Sequence, residues 1–450
     1  MTNDQSLVKR SIGERLNIGH CRFGEGPMPR NRKKRVIIIG NSAAGLSALE
    51  AFRKRDKDSE VLMIDKEPVV AYSRVITPYF IMGGVKKEEG LFLRTKDYYR
   101  TIGAKTAFGQ EVQSIDTQAR EIVLDGEKKE PFDLLLIATG GSPISPKIEG
   151  ADPEDVLVLR SLSDAKKLKE MKSKVQKSLF LGAGLVSLQT LQALFTMKGR
   201  CTLVVKSDRI LSQTLDQEGA EIVERHLAKM GVQIIKGREV VRLKGMNGSR
   251  VAILDNGEEL ETDFVFAGKG VKPNVGFLRS GRIKIQNGIV ANESLGTNVE
   301  GIYAAGDVAQ APDFFSDKKV NYGLWPSAVE QGEIAGKNMS GLHEKYPGNL
   351  KMNVTRIFAM PVASIGDFGS KRVAEALVQK DEKRSIYRKI CLDEKGTIIG
   401  AVLINRMDDL GVLHGLIQER KDGQALKSSP IWRSPIRYGF VYKNILEGRL

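Results

Sequence analysis

Cysteine is scarce in this sequence. Only Cys21, Cys201 and Cys391 occur in 450 residues, and no two stand close enough to form a CxxC or CxxxxC pair, which argues against a disulfide scaffold and a local redox dithiol. Histidine is equally sparse. His20, His226, His343 and His414 are scattered, and His20 beside Cys21 supplies too few ligands for a metal centre, so no metal site is expected. Long apolar runs are missing as well. Val36–Ile39 and Leu134–Ala138 are among the longest, far short of the roughly 18 residues that cross a bilayer. The N-terminal MTNDQSLVKRSIGERLNIGH has no continuous apolar stretch of the kind a secretory signal needs. A cytoplasmic protein without a membrane span is expected.

Acidic residues are in deficit, 55 Asp and Glu against 70 Lys and Arg, for a net charge of +15. A field of that sign attracts acidic proteins, nucleic acids or anionic lipid. Nucleic acid is set aside because neither an aromatic-interleaved basic platform nor a helix-turn-helix pattern accompanies the charge. The sharpest basic run, Arg30-Asn31-Arg32-Lys33-Lys34-Arg35, abuts the first strand. It reads either as a solvated tail or as a docking element for an acidic partner.

What is present is an ordinary globular composition, 41% hydrophobic and 28% charged, on a chain long enough for two or three domains of ~150 residues. From Arg35 the pattern alternates strand and helix: VIIIG, a helix to about Arg55, then VLMID, which together make a βαβ unit. A second unit opens at Ser178 and ends in CTLVVK, followed by a helix over Gln217–Met230 and a strand over Val232–Ile235. This internal duplication implies two bound nucleotides. From about Leu350 the character changes. IYRKICLDEKGTIIGAVLIN alternates like a β-hairpin around Glu394-Lys395-Gly396, and a helix is predicted from Asp409 to about Glu419.

Each unit has a glycine turn. In IIIGNSAAGLSALEAFRK, Gly40 permits the sharp exit from the strand and Gly45 lets helix and strand approach. Ser42 takes the middle place, where the backbone must come near a pyrophosphate, and keeps the side chain small. The helix N-terminus then offers N–H groups and a positive dipole end to phosphate. The second strand ends in Asp65, with Glu67 close behind, carboxylates suited to ribose hydroxyls. The second turn, Gly182-Ala183-Gly184-Leu185-Val186-Ser187, keeps two glycines and puts Ser187 at the helix-packing position. Its following strand ends in Val205-Lys206 without an acid. An acid there favours NAD and a cation favours NADP, so Lys206, with Arg209 close by, leans toward NADP, while a solvated strand end remains the alternative.

A third signature narrows the reading. TNVEGIYAAGD (Thr297–Asp307), together with LLLIATGGSP (Leu134–Pro143), FAGKGVKPN (Phe266–Asn274) and YGLWPSAVEQGEIAG (Tyr322–Gly336), resembles the two-dinucleotide-binding flavoproteins of the pyridine nucleotide–disulfide oxidoreductase superfamily. The resemblance runs in order from Arg35 to the C-terminus. It implies an α/β fold of two Rossmann-like three-layer nucleotide-binding domains plus a C-terminal α+β interface domain. The implied boundaries are a basic extension over 1–34, a discontinuous FAD-binding domain over 35–150 and 273–345, an NAD(P)-binding domain over 151–272, and the interface domain over 346–450. By the same resemblance Asp307 holds the ribityl chain of FAD, and the helix beginning near Ser327 aims its N-terminus at the flavin pyrimidine.

Disulfide-reducing members of this superfamily carry a thiol just after the first βαβ unit. Here AYSRVITPYF (Ala71–Phe80) has none, so a mixed disulfide or a sulfenic acid is not available there. The YSRxxxPYxxxG pattern resembles instead the thiol-free branch: rubredoxin and ferredoxin reductases, the NADH-reactive part of nitrite reductases, and FAD subunits of aldehyde or phenylglyoxylate oxidoreductases. Together the turns and the resemblance place FAD against Gly40, Ser42, Ala43, Ala44, Gly45, Asp65, Lys66, Glu67, Arg74, Pro78, Ala138, Thr139, Gly140, Gly306, Asp307, Trp325, Ser327 and Ala328. They place NAD(H) or NADP(H) against Gly182, Gly184, Leu185, Val186, Ser187, Gln189, Val205, Lys206, Arg209 and Gly270. Gln189 departs from the Glu common in the family.

The expected activity is an FAD-dependent NAD(P)H oxidoreductase that exchanges a hydride with the nicotinamide and single electrons with an iron–sulfur electron-transfer protein or companion subunits. No amino-acid side chain is assigned a catalytic role beyond the flavin. The chain has no ligand set for a cluster of its own, so that relay must be external. A homodimer through the C-terminal domain is a further expectation. The alternatives are a non-catalytic FAD subunit whose nicotinamide site has degenerated, and a stand-alone peroxide-forming oxidase.

Overall fold

The computed structural model describes residues 33–196, 199–246, 249–278 and 281–423. Most of the basic run, Cys21 with His20, and the chain beyond 423 lie outside them. Strands buried on both faces need unbroken apolar runs, and Val36–Ile39 and Leu134–Ile137 supply them at the centre of a parallel sheet. In chain order the strands of the two parallel sheets, one in each half, are β1 (Arg35–Ile39), β2 (Glu60–Asp65), β3 (Ala104–Phe108), β4 (Leu134–Ile137), β5 (Val156–Leu157), β6 (Lys177–Leu181), β7 (Arg200–Val205), β8 (Val232–Lys236), β9 (Phe264–Ala267) and β10 (Ile302–Ala304). The first sheet runs β10-β4-β1-β2-β3 and the second β8-β7-β6-β9-β5. All pairs in both are parallel.

The helices are α1 (Ala43–Arg55), α2 (Thr77–Met82), α3 (Leu162–Met171), α4 (Leu185–Leu194), α5 (Gln217–Lys229) and α6 (Trp325–Met339). Helices α1 and α6 cover one face of the first sheet, packing Leu49, Phe52 and Ala335 with Val36 and Ile38. A small antiparallel sheet over 112–131 covers the other, bringing Ile115 and Ile122 to Ile37 and Ile39. The second half repeats the plan. Helices α3, α4 and α5 pack on the Phe180 and Phe266 side, and the antiparallel strands over 240–262 pack on Leu179 and Leu181. Each half is thus three layers, with its glycine turn at the carboxyl end of the central strand. The links between the halves pair with each other, Gly141–Pro143 running antiparallel to Val271–Pro273.

The C-terminal domain is a five-stranded antiparallel sheet of β11 (Met352–Ile357), β12 (Met360–Gly366), β13 (Glu375–Asp381), β14 (Ile386–Leu392) and β15 (Ile398–Ile404), in the order β11-β12-β15-β14-β13. Helix α7 (Leu410–Gln418) packs Leu413, Leu416 and Ile417 against it. The hairpin predicted around Gly396 is β14–β15. This domain grips the second half at several places, among them the following two. The β11–β12 turn, with both Phe358 and Ala359 at positive φ, receives Gln192 Oε1 on the Phe358 N–H and His226 Nε2 on its carbonyl, each at 3.0 Å. Asp216, which caps α5, accepts from Tyr387 Oη at 2.8 Å and Lys389 Nζ at 2.9 Å. No helix among the described residues is long and apolar enough to cross a membrane.

One contact sets the first half. Helices α1 and α6 meet without intervening side chains: a Cβ on Gly332 would stand 2.1 Å from the Ala44 carbonyl oxygen, and one on Gly336 2.2 Å from that of Ala48. Alanine in place of a helical glycine ordinarily gains about 1 kcal/mol of helix propensity. Here the methyl must push two backbones apart, so Gly332→Ala is expected to cost about 2 kcal/mol net. Gly415→Ala in α7, where a Cβ meets nothing within 4 Å, is expected to gain roughly 0.5–1 kcal/mol. Urea unfolding of the two variants checks the contrast, and stabilisation by both would refute the close contact.

Candidate functional site

A cleft of about 400 Å3 opens at the carboxyl ends of β1 and β2, lined by Gly40, Ser42, Asp65, Glu67, Arg74 and Arg160 among others. Its floor is the first glycine turn. Gly40 has φ of +109°, and a Cβ there would lie 2.1 Å from the Ala138 carbonyl oxygen, while one on Gly45 would lie 1.8 Å from the Gly40 oxygen. Only glycine fits either place. No side chain caps α1 and its first turn carries no carboxylate, which leaves N–H groups and the positive end of the helix for an anion.

Asp65 closes one end of this floor. Its Oδ2 accepts from the Asn41 N–H at 2.6 Å and its Oδ1 from the Glu67 N–H at 2.8 Å. Burial nevertheless pushes the carboxyl above the ordinary aspartate range, against those two bonds. A carboxylate so placed still has lone pairs for further donors, and ribose hydroxyls would relieve its desolvation. Glu67 is already engaged: Oε1 takes Arg74 Nη2 at 2.5 Å, and Oε2 takes Tyr72 Oη at 2.8 Å and the Leu162 N–H at 3.3 Å.

Arg74 is the keystone of the cleft wall. Besides Glu67 it donates to Tyr72 Oη at 2.8 Å and to the Arg160 carbonyl, and its Nε stands 3.4 Å from Ser42 Oγ. Burial works against its charge, but Tyr72 and Glu67 outweigh that and hold its pKa above the ordinary value. This network ties the first turn to the start of α3 in the other half. Pro78 is buried in α2, below this wall.

Across the cleft the Gly306–Asp307 turn rests on α1. Gly306 has φ of +80°, a Cβ there would stand 3.1 Å from Ala44 Cβ, and its N–H donates to Gln331 Oε1 of α6 at 2.8 Å. Asp307 pairs with Arg160 at 2.9 Å. Thr139 and Gly140, which follow Ala138, are held by Asn274 through Thr139 Oγ1 to its carbonyl, its side-chain amide to the Thr139 carbonyl, and its N–H to the Gly140 carbonyl. Trp325, Ser327 and Ala328 form the first turn of α6, which has proline rather than an acid near its start. Lys66 lines the cleft and is exposed. Arg160, Asn274 and Gln331 were not among the residues singled out from sequence. Their signals lay in the capped segment LRSLSDA, in the KPN after β9 and in the α6 sequence.

The second turn repeats the first in plainer form. Gly182 has φ of +95°, and a Cβ on it would meet the Gly268 carbonyl oxygen at 2.8 Å. Gly184 precedes α4, which has no side-chain cap and no acid in its first turn, formed by Leu185, Val186 and Ser187. Ser187 is fully buried and its Oγ stands 3.4 Å from the Gly268 carbonyl. Gln189 points its amide to Thr355 Oγ1 of β11 at 2.9 Å. Val205 is buried and ends β7, and Gly270 is exposed at φ of +90°. Lys206 is not free: it pairs with Glu239 at 2.9 Å, an acid that the sequence pattern did not single out. Arg209 reaches Asp208 and the Ser212 carbonyl, each at 3.4 Å.

Both turns therefore fit dinucleotides, and the first cleft brings the half-buried Asp65 together with Arg74 and Arg160. Asp65→Asn is expected to weaken FAD binding about tenfold or more, by removing a charged acceptor. In the native protein, affinity is expected to fall as pH drops through the raised Asp65 pKa, because the protonated carboxyl is the poorer acceptor. Fluorescence titration of the apoprotein with FAD across pH checks both, and the same pH slope in native and Asp65→Asn proteins would contradict the assignment.

Residues 34–332 match the pyridine nucleotide-disulphide oxidoreductase family, and residues 352–421 match the rubredoxin NAD+ reductase C-terminal domain. The chain is 30% identical over 419 residues to the NADH-dependent phenylglyoxylate dehydrogenase subunit epsilon of Aromatoleum evansii, covering 92% of this chain and 96% of that one. It is 30% identical over 392 residues to an NADH oxidase of Methanocaldococcus jannaschii, covering 82% and 87%. Among solved structures, a NAD-dependent persulfide reductase from A. fulgidus is similar with a TM-score of 0.81 and 25% identity, covering 92% of this chain and 84% of that one.

Proposed function

The chain belongs to the pyridine nucleotide-disulphide oxidoreductase family, and from that premise we propose that it passes electrons from a nicotinamide nucleotide singly to an iron–sulfur protein or companion subunit, without using a thiol. As a member it is an FAD-dependent oxidoreductase of NADH or NADPH. When bound, FAD supplies the conversion between two-electron hydride transfer and one-electron transfer. The chain's own residues would hold it: the α1 N-terminus would take the pyrophosphate, Asp65 the ribose, Asp307 with Arg160 the ribityl side, and the α6 N-terminus the pyrimidine. The second turn and α4 take the nicotinamide nucleotide. The corresponding domains are 35–150 with 273–345, and 151–272, with 346–450 as the interface domain.

The observation that carries the proposal is that none of the described residues lining the cleft is a cysteine. Ser73 and Arg74 stand in the segment Ala71–Phe80, and no cysteine lines the cleft. Cys201 and Cys391 are buried among the core strands, and burial pushes their thiols up to about 11 and about 12. Neither is a thiolate near neutral pH. Among the described residues no protein disulfide could take electrons from FAD, so an external acceptor would be required.

A partner is supported by the rubredoxin reductase-like C-terminal domain and by a relative that is itself one subunit of a larger enzyme. The net charge of +15 favours an acidic one. The C-terminal sheet offers a surface for that subunit or for a second copy of the chain. We propose a cytoplasmic location, where reduced nicotinamide nucleotide is supplied.

The M. jannaschii relative supports a second reading, in which the protein reduces dioxygen directly. The two separate in one experiment. With NADH or NADPH as donor, the proposal predicts rapid reduction of an acidic iron–sulfur acceptor, slowing as salt rises, and slow consumption of dioxygen without it. Fast oxygen consumption, unaffected by the acceptor, would favour the oxidase and overturn the proposal.

A further inference from the structure

The strand that follows the second glycine turn ends without the acid that usually receives the adenosine ribose. The loop after β8 brings another one to that place. The Gly237 N–H donates to the Ser207 carbonyl at 3.3 Å and the Arg238 N–H to the Val205 carbonyl at 3.1 Å, so this loop lies along the carboxyl end of β7. The next residue, Glu239, pairs through Oε2 with Lys206 Nζ at 2.9 Å and through Oε1 with Lys269 Nζ at 3.0 Å.

The two lysines come from opposite sides of the crevice. Lys206 follows β7. Lys269 follows β9, beyond the central strand β6, and its Cγ stands 3.7 Å from where a Cβ on Gly182 would be. The sheet order β8-β7-β6-β9 puts the reversal of strand order beside β6, where open α/β sheets receive dinucleotides. The Glu239 carboxylate therefore lies across the mouth of the second glycine turn, and its side chain keeps 34% of its surface exposed. We propose that Glu239 replaces the missing strand-end acid as acceptor for the adenosine ribose hydroxyls and makes the chain selective for NADH over NADPH.

The chemistry supports this choice over the reading that Lys206 awaits a phosphate. A carboxylate has about four lone-pair positions, and the two lysines occupy one on each oxygen, leaving room for hydroxyl donors. Sharing Glu239 draws its carboxyl below the ordinary glutamate range, through the Lys206 bond first and Lys269 second, so it stays ionised near neutral pH. A 2′-phosphate brought to the same spot meets that negative charge, and both ammonium groups are already paired. Arg209, the other cation nearby, is turned to Asp208 and Ser212.

The proposal rests on the reading that this half binds a nicotinamide nucleotide, and calorimetry on the FAD-loaded protein separates the two. NAD+ and NADP+ are titrated into native protein, Glu239→Gln and, as a control, Glu258→Gln, an exposed acid of the same half outside the lysine clamp. Native protein is expected to prefer NAD+. Glu239→Gln weakens NAD+, frees two lysines for the 2′-phosphate and shifts the ratio of dissociation constants toward NADP+ by about tenfold or more. Glu258→Gln leaves the ratio unchanged. Binding of both nucleotides with the ratio unmoved by Glu239→Gln, a native preference for NADP+, or an equal shift in Glu258→Gln overturns the proposal while sparing the nicotinamide site. Failure of both nucleotides to bind native protein overturns the site and the proposal together. Thermal unfolding of Glu239→Gln confirms that the variant is folded when compared.

Discussion

Backbone meets backbone where α1 crosses α6, and the geometry of the flavin cleft follows from that contact. Ala44 and Ala48 present carbonyls to Gly332 and Gly336 with no room for a methyl between them. Two segments far apart in the chain are thereby fixed to within a backbone diameter. The Gly306–Asp307 turn is carried along, because Gln331 of α6 holds the Gly306 N–H and Gly306 itself lies on Ala44. The first glycine turn, the Asp307 turn and the start of α6 are thereby held beside one another, next to the cleft. A wider spacing would leave each present and none of them in reach of the same ligand, since a cofactor site tolerates only small errors in placement.

The second half is braced from outside. The β11–β12 turn is held by Gln192 of α4 and His226 of α5, Gln189 binds Thr355, and the α5 cap Asp216 is shared with β14. On the other side the paired links 141–143 and 271–273 join it to the first half, and Arg74 bonds across to the Arg160 carbonyl. Two nucleotide sites are thus held at a fixed separation by hydrogen bonds that do not themselves touch the reacting atoms. That suits a reaction whose requirement is the alignment of two rings rather than acid–base chemistry by a side chain.

Much of this architecture was legible in the sequence because it depends on local periodicity. Apolar runs gave the central strands, and glycine turns followed by amphipathic stretches gave α1 and α4. The β14–β15 hairpin announced itself by alternation around Gly396. What stayed hidden depends on partners distant in the chain. Gly332 and Gly336 look like ordinary helix weakeners until Ala44 and Ala48 are seen opposite them. Lys206 reads as a free cation because its partner, Glu239, arrives from the next loop. Arg74 and Gln189 read as ligand contacts by type and position, yet their donors are largely engaged by Glu67, Tyr72 and the Arg160 carbonyl in one case and by Thr355 in the other. Arg160 gave no periodic signal at all, and only the pairing with Asp307 marks it.

The central claim is that no thiol among the described residues shares the redox chemistry with FAD. Anaerobic titration of the FAD-loaded protein with a reduced nicotinamide nucleotide tests it most directly, by counting electrons. A single equivalent per FAD is expected to bleach the flavin band completely, because a thiol-free site stores one hydride. A requirement for a second equivalent, or a charge-transfer band of the kind a thiolate gives beside oxidised flavin, would reveal a sulfur centre and contradict the account.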